Sequence, residues 1–202
     1  MKININSHSS IQIDDIYFDP FQINKAKHDA KYIFLTHTHY DHLSIEDIDK
    51  VISKDTIIIA TPDAKETLEN KYNNKIIYVS PYDNIYLSDV EVEVLPSYNT
   101  NKAFHKKEYG WVGYKIIYDG KTFAVLGDTD YIPELNSLQC DYLFVPIGGT
   151  YTMNATEAAA LANTIKPKIA IPVHYNAIVG SKQDEADFVK NIKKPVTVKI
   201  ML

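Results

Sequence analysis

Lys31-Tyr32-Ile33-Phe34-Leu35-Thr36-His37-Thr38-His39-Tyr40-Asp41-His42 is the stretch on which the fold turns. Its first half is mostly apolar, rich in aromatic and branched side chains, and reads as a buried strand. Its second half sets three imidazoles and a carboxylate within six residues. Those groups bind borderline divalent cations such as zinc. In an extended chain, side chains two apart share a face. The alternation therefore predicts that His37, His39 and Asp41 face one cavity at the strand end, with His42 pointing elsewhere unless the backbone turns. Four ligand-type residues at this spacing suit two adjacent metals better than one. The alternative is a polar turn with ordinary surface histidines.

Around this stretch the chain reads as alternating strands and helices. Upstream, Met1 to Asn6 alternates like a strand, and Ile11-Gln12-Ile13 and Ile16-Tyr17-Phe18 flank an Asp14-Asp15 turn. Downstream, Ser44 and Asp47 resemble a capping pair that opens a helix to about Ser53. Thr56 to Ala60 reads as a strand. Thr61-Pro62, threonine at the cap and proline at the first position, starts a helix to about Tyr72, and strand Ile76 to Val79 follows. Val90, Val92 and Val94 alternate with Glu91 and Glu93, as in a half-buried strand. Trp111 to Tyr118 and Thr122 to Leu126 flank Asp119-Gly120, a type I′ hairpin signal. Strand Tyr142 to Ile147, a helix capped by Asn154 and Glu157, strand Lys168 to Val173, a helix opened by Ser181 and Asp184, and strand Val196 to Met201 complete the reading. The expectation is one domain over residues 1–202, α+β in class, with two mixed sheets face to face and helices outside.

Bulk properties narrow the function. The net charge is −5, which gives no electrostatic case for a nucleic-acid partner. All 21 basic residues are lysine, so no guanidinium fork is available to grip an anion. Cys140 is the only cysteine and reads as a core or near-core residue rather than a catalytic thiol. No signal-peptide h-region or membrane-length apolar run is visible, so a cytoplasmic protein acting on a small-molecule substrate without a membrane partner is expected.

Further ligand candidates sit after apolar strands. Gly127-Asp128 displays Asp128 at a strand end, where a carboxylate could bridge two cations; an ordinary Gly-Asp turn is the alternative. His174 follows Ile171-Pro172-Val173 in the same way. His105 lies in the long loop Pro96 to Gly110, and loops of that length inside a compact domain are often functional. His8 lies in Ser7-His8-Ser9-Ser10, and His28, between Lys27 and Asp29, reads as solvated.

Together these residues resemble the metallo-β-lactamase superfamily. Its H-x-H-x-D-H motif is matched by His37, His39, Asp41 and His42, its later aspartate by Asp128, and its last histidine by His174. Ser7-His8-Ser9, Asp19-Pro20, Gly127-Asp128-Thr129, Pro146 to Met153, Lys166-Pro167-Lys168 and Ile171 to Tyr175 resemble the branch of small metal-dependent hydrolases, which is itself similar to ascorbate-6-phosphate lactonases and N-acyl-phosphatidylethanolamine phospholipases. The resemblance implies an αββα sandwich. It implies two divalent ions, zinc by default with manganese or iron able to use the same donors. One would sit on His37, His39 and His105, the other on Asp41, His42 and His174, with Asp128 bridging. A water between them would lose a proton and attack an ester, lactone, amide or phosphodiester, with Asp41 moving a proton to the leaving group. His8 and Asp130 become orienting or substrate-side candidates. The Gly148 to Met153 segment, including Gly149, Thr150 and Met153, becomes a candidate pocket lining. The chain departs from the family at Leu95-Pro96-Ser97-Tyr98-Asn99, where a histidine is expected. Either His105 returns to complete the first site, or Asn99 or water takes its place. A di-iron oxidoreductase, whose relatives carry a glutamate at the position of His39, and a non-catalytic metal-binding module are the competing classes.

Overall fold

The computed structural model describes residues 1–202. The chain forms two compact units, Met1–Ser80 and Pro81–Leu202.

The first unit holds a six-stranded mixed sheet in sequential order: β1 (Ile3–Ser7), β2 (Ser10–Ile13), β3 (Ile16–Phe18), β4 (Ala30–Phe34), β5 (Ile52–Ala60) and β6 (Lys75–Tyr78). The first three strands pair antiparallel, and β3 through β6 pair parallel. The helix α1 (Ile45–Val51) crosses from β4 to β5, with the Ser44 side chain accepting from the Asp47 backbone N–H as its spacing suggests. Ile48 and Val51 of α1 pack with Ile33, Leu35 and Ile58 in one buried cluster. The helix expected over 61–72 is instead a 3-10 turn (Pro62–Ala64) leading into a short α2 (Lys65–Glu69). Thr61 does not cap it; its hydroxyl donates to Asp63 Oδ1, so it no longer serves the helix N–H groups.

The second unit holds a seven-stranded mixed sheet ordered β13-β12-β11-β10-β9-β8-β7. Its strands are β7 (Asn84–Tyr86), β8 (Glu91–Pro96), β9 (Val112–Tyr118), β10 (Lys121–Val125), β11 (Tyr142–Pro146), β12 (Ile169–Val173) and β13 (Thr197–Val198). Asp119 and Gly120 have φ of 49° and 66°, as a type I′ turn between β9 and β10 requires. The helices α3 (Ala155–Ile165) and α4 (Lys182–Asn191) both open with complete capping boxes, Asn154 with Glu157 and Ser181 with Asp184. Ala158, Ala159, Leu161 and Ala162 of α3 share a buried cluster with Leu143 and Val145 of β11 and Phe188 of α4. The terminal strand is shorter than the expected Val196 to Met201.

This topology decides where chemistry collects. In the first unit β3 and β4 are parallel neighbours, with Phe18 opposite Phe34, so their C-terminal ends emerge side by side. In the second unit β8, β10, β11 and β12 all run in one direction. The loops after Pro96, Val125 and Val173 therefore leave the same edge of that sheet. Gly113 on β9 lies beneath this edge; a Cβ there would meet the Val125 carbonyl at 2.7 Å, so a side chain would push β9 away from β10.

Candidate metal centre

In the first unit the ligand-type residues gather after β3 and β4. The segment from His37 does not stay extended. The backbone N–H groups of His42 and Leu43 both donate to the His39 carbonyl, at 3.0 and 2.8 Å, making a helical turn. The turn corrects the expectation from strict alternation. Asp41 does not pair with His37 and His39; it groups with His42, and His8 from the β1–β2 turn joins them. His8 Nε2 lies 3.3 Å and His42 Nε2 3.6 Å from Asp41 Oδ2, and the ligand atoms of all three residues lie within 4.8 Å of one another. His37 Nε2 and His39 Nδ1 are 3.1 Å apart.

A buried carboxylate aims two of these rings. Asp19 follows β3 directly and accepts the Thr36 backbone N–H on Oδ1 at 2.8 Å. Its Oδ2 lies 2.7 Å from both Thr36 Oγ1 and His42 Nδ1. Burial pushes the Asp19 carboxyl above its ordinary range, while His42 and Thr36 pull it down. Because a carboxylate only accepts, His42 carries its proton on Nδ1 and presents the Nε2 lone pair. Thr36 spends its one hydroxyl proton on Asp19, so Thr36 Oγ1 accepts from His37 Nδ1 at 2.9 Å, and His37 also presents Nε2. Asp19 is not among the site residues read from the sequence. The Asp19-Pro20 pair was a visible signal, but its partners lie 17 and 23 positions away.

In the second unit Asp128, His105 and His174 meet. His174 Nε2 lies 2.9 Å and His105 Nε2 3.3 Å from Asp128 Oδ2, and all three residues are at most 3% exposed. His174 adopts a φ of 59° just after β12. A Cβ at Gly148 would meet the His174 carbonyl oxygen at 2.3 Å, so glycine there lets the β11 loop approach it. The loop bearing His105 returns onto itself, with Asn99 N donating to the His105 carbonyl at 2.7 Å. It is tied to the Asp128 loop, Ser97 Oγ donating to the Asp128 carbonyl at 3.0 Å and the Tyr98 backbone N–H to Thr129 Oγ1 at 3.2 Å.

The remaining candidates have other surroundings. Asn99 and Asp130 are buried and bonded to each other, at 3.2 Å. Gly149 is half-buried and Thr150 exposed in the turn before α3. Met153 is fully buried within the α3 core cluster. His28 is exposed, as expected. Cys140 packs against the same core as Met153, and burial, with Asp141 beside it, pushes its thiol up to about 12, which suits a structural residue.

The donor set fits a divalent metal. Two ligands held about 2.1 Å from one tetrahedral zinc lie about 3.4 Å apart. The pairs His37–His39, His42–Asp41, His105–Asp128 and His174–Asp128 stand at 2.9 to 3.6 Å. His37 and His42 present lone pairs fixed by partners behind the ring, the arrangement found around bound metals.

Strand-end imidazoles and carboxylates on two mixed sheets mark a metalloenzyme of the metallo-β-lactamase fold. The family described as Beta-lactamase superfamily domain matches residues 12–175, and the chain belongs to it. A UPF0173 metal-dependent hydrolase of Sulfurisphaera tokodaii is 29% identical over 90% of this chain and 82% of its own length. A crystal structure from Parabacteroides distasonis, assigned as a metal-dependent hydrolase, is 30% identical, with a TM-score of 0.84 over 98% of this chain and 91% of that one. The metallo-β-lactamase fold protein YhfI of Bacillus subtilis shares the fold at 16% identity, with a TM-score of 0.73 over 96% of this chain and 88% of its own. The expected α+β class stands, and the chain is an enzyme of the metal-dependent hydrolase class. No helix is long and apolar enough to cross a membrane.

Proposed function

We propose that residues 1–202 act as a single metallo-β-lactamase-like domain that hydrolyses an ester, lactone, amide or phosphodiester bond of a small cytoplasmic substrate, using two divalent cations. The observation that carries this reading is the buried trio of Asp128, His105 and His174, two imidazole nitrogens converging on one carboxylate oxygen. In this assignment His37, His39 and His105 would hold one cation and Asp41, His42 and His174 the other, with Asp128 available to both. Zn2+ is the expected metal, and Mn2+ or Fe2+ would suit the same nitrogen and oxygen donors. When bound, such cations supply Lewis acidity and make water a nucleophile near neutral pH.

The chain's own groups supply the rest. Asp19 and Thr36 hold the His42 and His37 rings so that only their Nε2 atoms face the centre. His8 is fully buried with its Nε2 3.3 Å from Asp41 Oδ2, a proximity that supports Asp41 as the group that would take up a proton and pass it to the leaving group. His105 rather than Asn99 would be the third ligand of the first cation; the commitment of Asn99 Oδ1 to the His105 ring and backbone supports this choice.

The test combines metal analysis with a panel of esters, lactones and phosphodiesters. Two equivalents of zinc and turnover that is lost in His37→Ala and Asp128→Ala are expected. Unchanged hydrolysis in both variants overturns the mechanism. A coloured, iron-loaded protein would favour the di-iron oxidoreductase, and bound metal without turnover a non-catalytic module.

A further inference from the structure

We propose that Asn99 is a positioning residue that sets the tautomer of His105, through an amide whose own orientation is dictated by Asp130 and the Tyr151 carbonyl. The amide of an asparagine can be turned by 180° with little change of shape, so its chemistry must be read from its neighbours. On one side of Asn99, Nδ2 lies 3.2 Å from Asp130 Oδ1 and 2.8 Å from the Tyr151 carbonyl oxygen. Neither a carboxylate nor a carbonyl can donate. On the other side, Oδ1 accepts the His105 backbone N–H at 3.0 Å, and a backbone N–H cannot accept. Turning the amide over would set oxygen against two oxygens and NH2 against N–H. Three partners therefore fix one orientation.

His105 Nδ1 lies 3.1 Å from that same Oδ1. Facing an acceptor, Nδ1 must carry the proton of the neutral ring. The lone pair is then on Nε2, the atom 3.3 Å from Asp128 Oδ2. Without this constraint a neutral imidazole populates both tautomers, and one of them directs an N–H where a ligand is needed. Asp130 is itself held: it accepts from the Thr100 backbone N–H at 2.8 Å, from Thr100 Oγ1 at 3.3 Å and from Lys102 Nζ, and is 3% exposed. Both Asp130 oxygens thus face donors, Oδ1 the Lys102 Nζ and Oδ2 the Thr100 groups. The segment Asn99 to His105 is thus one unit. Asn99 closes the Leu95 to Asn99 stretch that lacks the expected histidine, and it orients a histidine supplied six residues later.

The consequence for metal binding rests on the assignment of His105 as a ligand; the tautomer does not. The experiment uses metal-stripped full-length protein labelled with 15N-histidine, at pH 8, with the His105 signals assigned by their loss in His105→Ala. Long-range 1H–15N spectra are expected to show His105 as a single form, protonated at Nδ1 and pyridine-like at Nε2. Asn99→Ala is expected to give mixed tautomers and to weaken one zinc site by about 10–100-fold, the range for loss of an orienting partner, as read by chelator competition. A wild-type His105 protonated at Nε2, or a pure Nδ1–H form retained in Asn99→Ala, overturns the proposal. The expected spectra together with two full-affinity zinc sites in His105→Ala would leave the positioning role standing and remove His105 from the ligand set. The wild-type spectrum decides even if Asn99→Ala fails to fold.

Discussion

Asp19 Oδ2 lies 2.7 Å from His42 Nδ1, and both side chains are at most 1% exposed. A strand end thus delivers a carboxylate to the back of a ring whose Nε2 is the proposed metal donor. Asp19→Asn keeps the shape but replaces two acceptor oxygens with one oxygen and an amide donor. Metal affinity is expected to fall by about 10–100-fold, measured by competition with a chromophoric chelator. Affinity equal to the wild type would show that Asp19 does not orient His42.

Gly148 is required by the close passage of His174. A Cβ there would meet the His174 carbonyl at 2.3 Å and the Val179 side chain at 2.8 Å. Gly148→Ala is expected to cost about 1–3 kcal/mol of stability, the usual range for overpacking, and to lower metal content with it. Urea unfolding and metal analysis of the same preparation check both. Unaltered stability would mean that the β11 loop moves aside without penalty.

Met153 is fully buried among the side chains of the second unit's core. Met153→Ala is expected to destabilise the protein by about 2–5 kcal/mol, as for other large-to-small core changes. Unfolding curves separate this from a substrate contact, which would instead raise KM at constant stability.

Cys140 has its thiol pushed up to about 12 by burial, with Asp141 adding to it. The unfolded thiol ionises near pH 8.5. Above that pH the unfolded chain releases a proton that the folded chain keeps, so folding stability drops as pH rises from there toward 12. Below it Cys140 contributes no pH dependence. Cys140→Ser should flatten the decline in unfolding midpoint between pH 8 and 10 relative to wild type, without changing hydrolysis. An identical decline in both proteins would assign the effect to other groups.

Local rules accounted for much of the fold. The pairs Ser44–Asp47, Asn154–Glu157 and Ser181–Asp184 cap helices as their spacing predicts, and Asp119-Gly120 turns the β9–β10 hairpin. These depend on groups within four residues of one another, so the information is in the string itself. Thr61 broke the pattern because a neighbouring carboxylate, Asp63, captured its hydroxyl. The strand β7 has only three residues, two of them exposed, and leaves no periodic signal.

The residue types and strand-end positions of the ligand candidates were set by the chain alone, since apolar runs ending in histidine or aspartate are legible without coordinates. Which of them touch was settled by tertiary structure. A backbone turn at His39, rather than strand alternation, joined Asp41 to His42 and brought in His8. Parallel pairing of β3 with β4 set Asp19 behind two rings, and the folded loop set Asn99 behind His105. The physical reason is that a hydrogen bond over 17 to 31 residues depends on how strands register, and pairing register is a property of the assembled sheet.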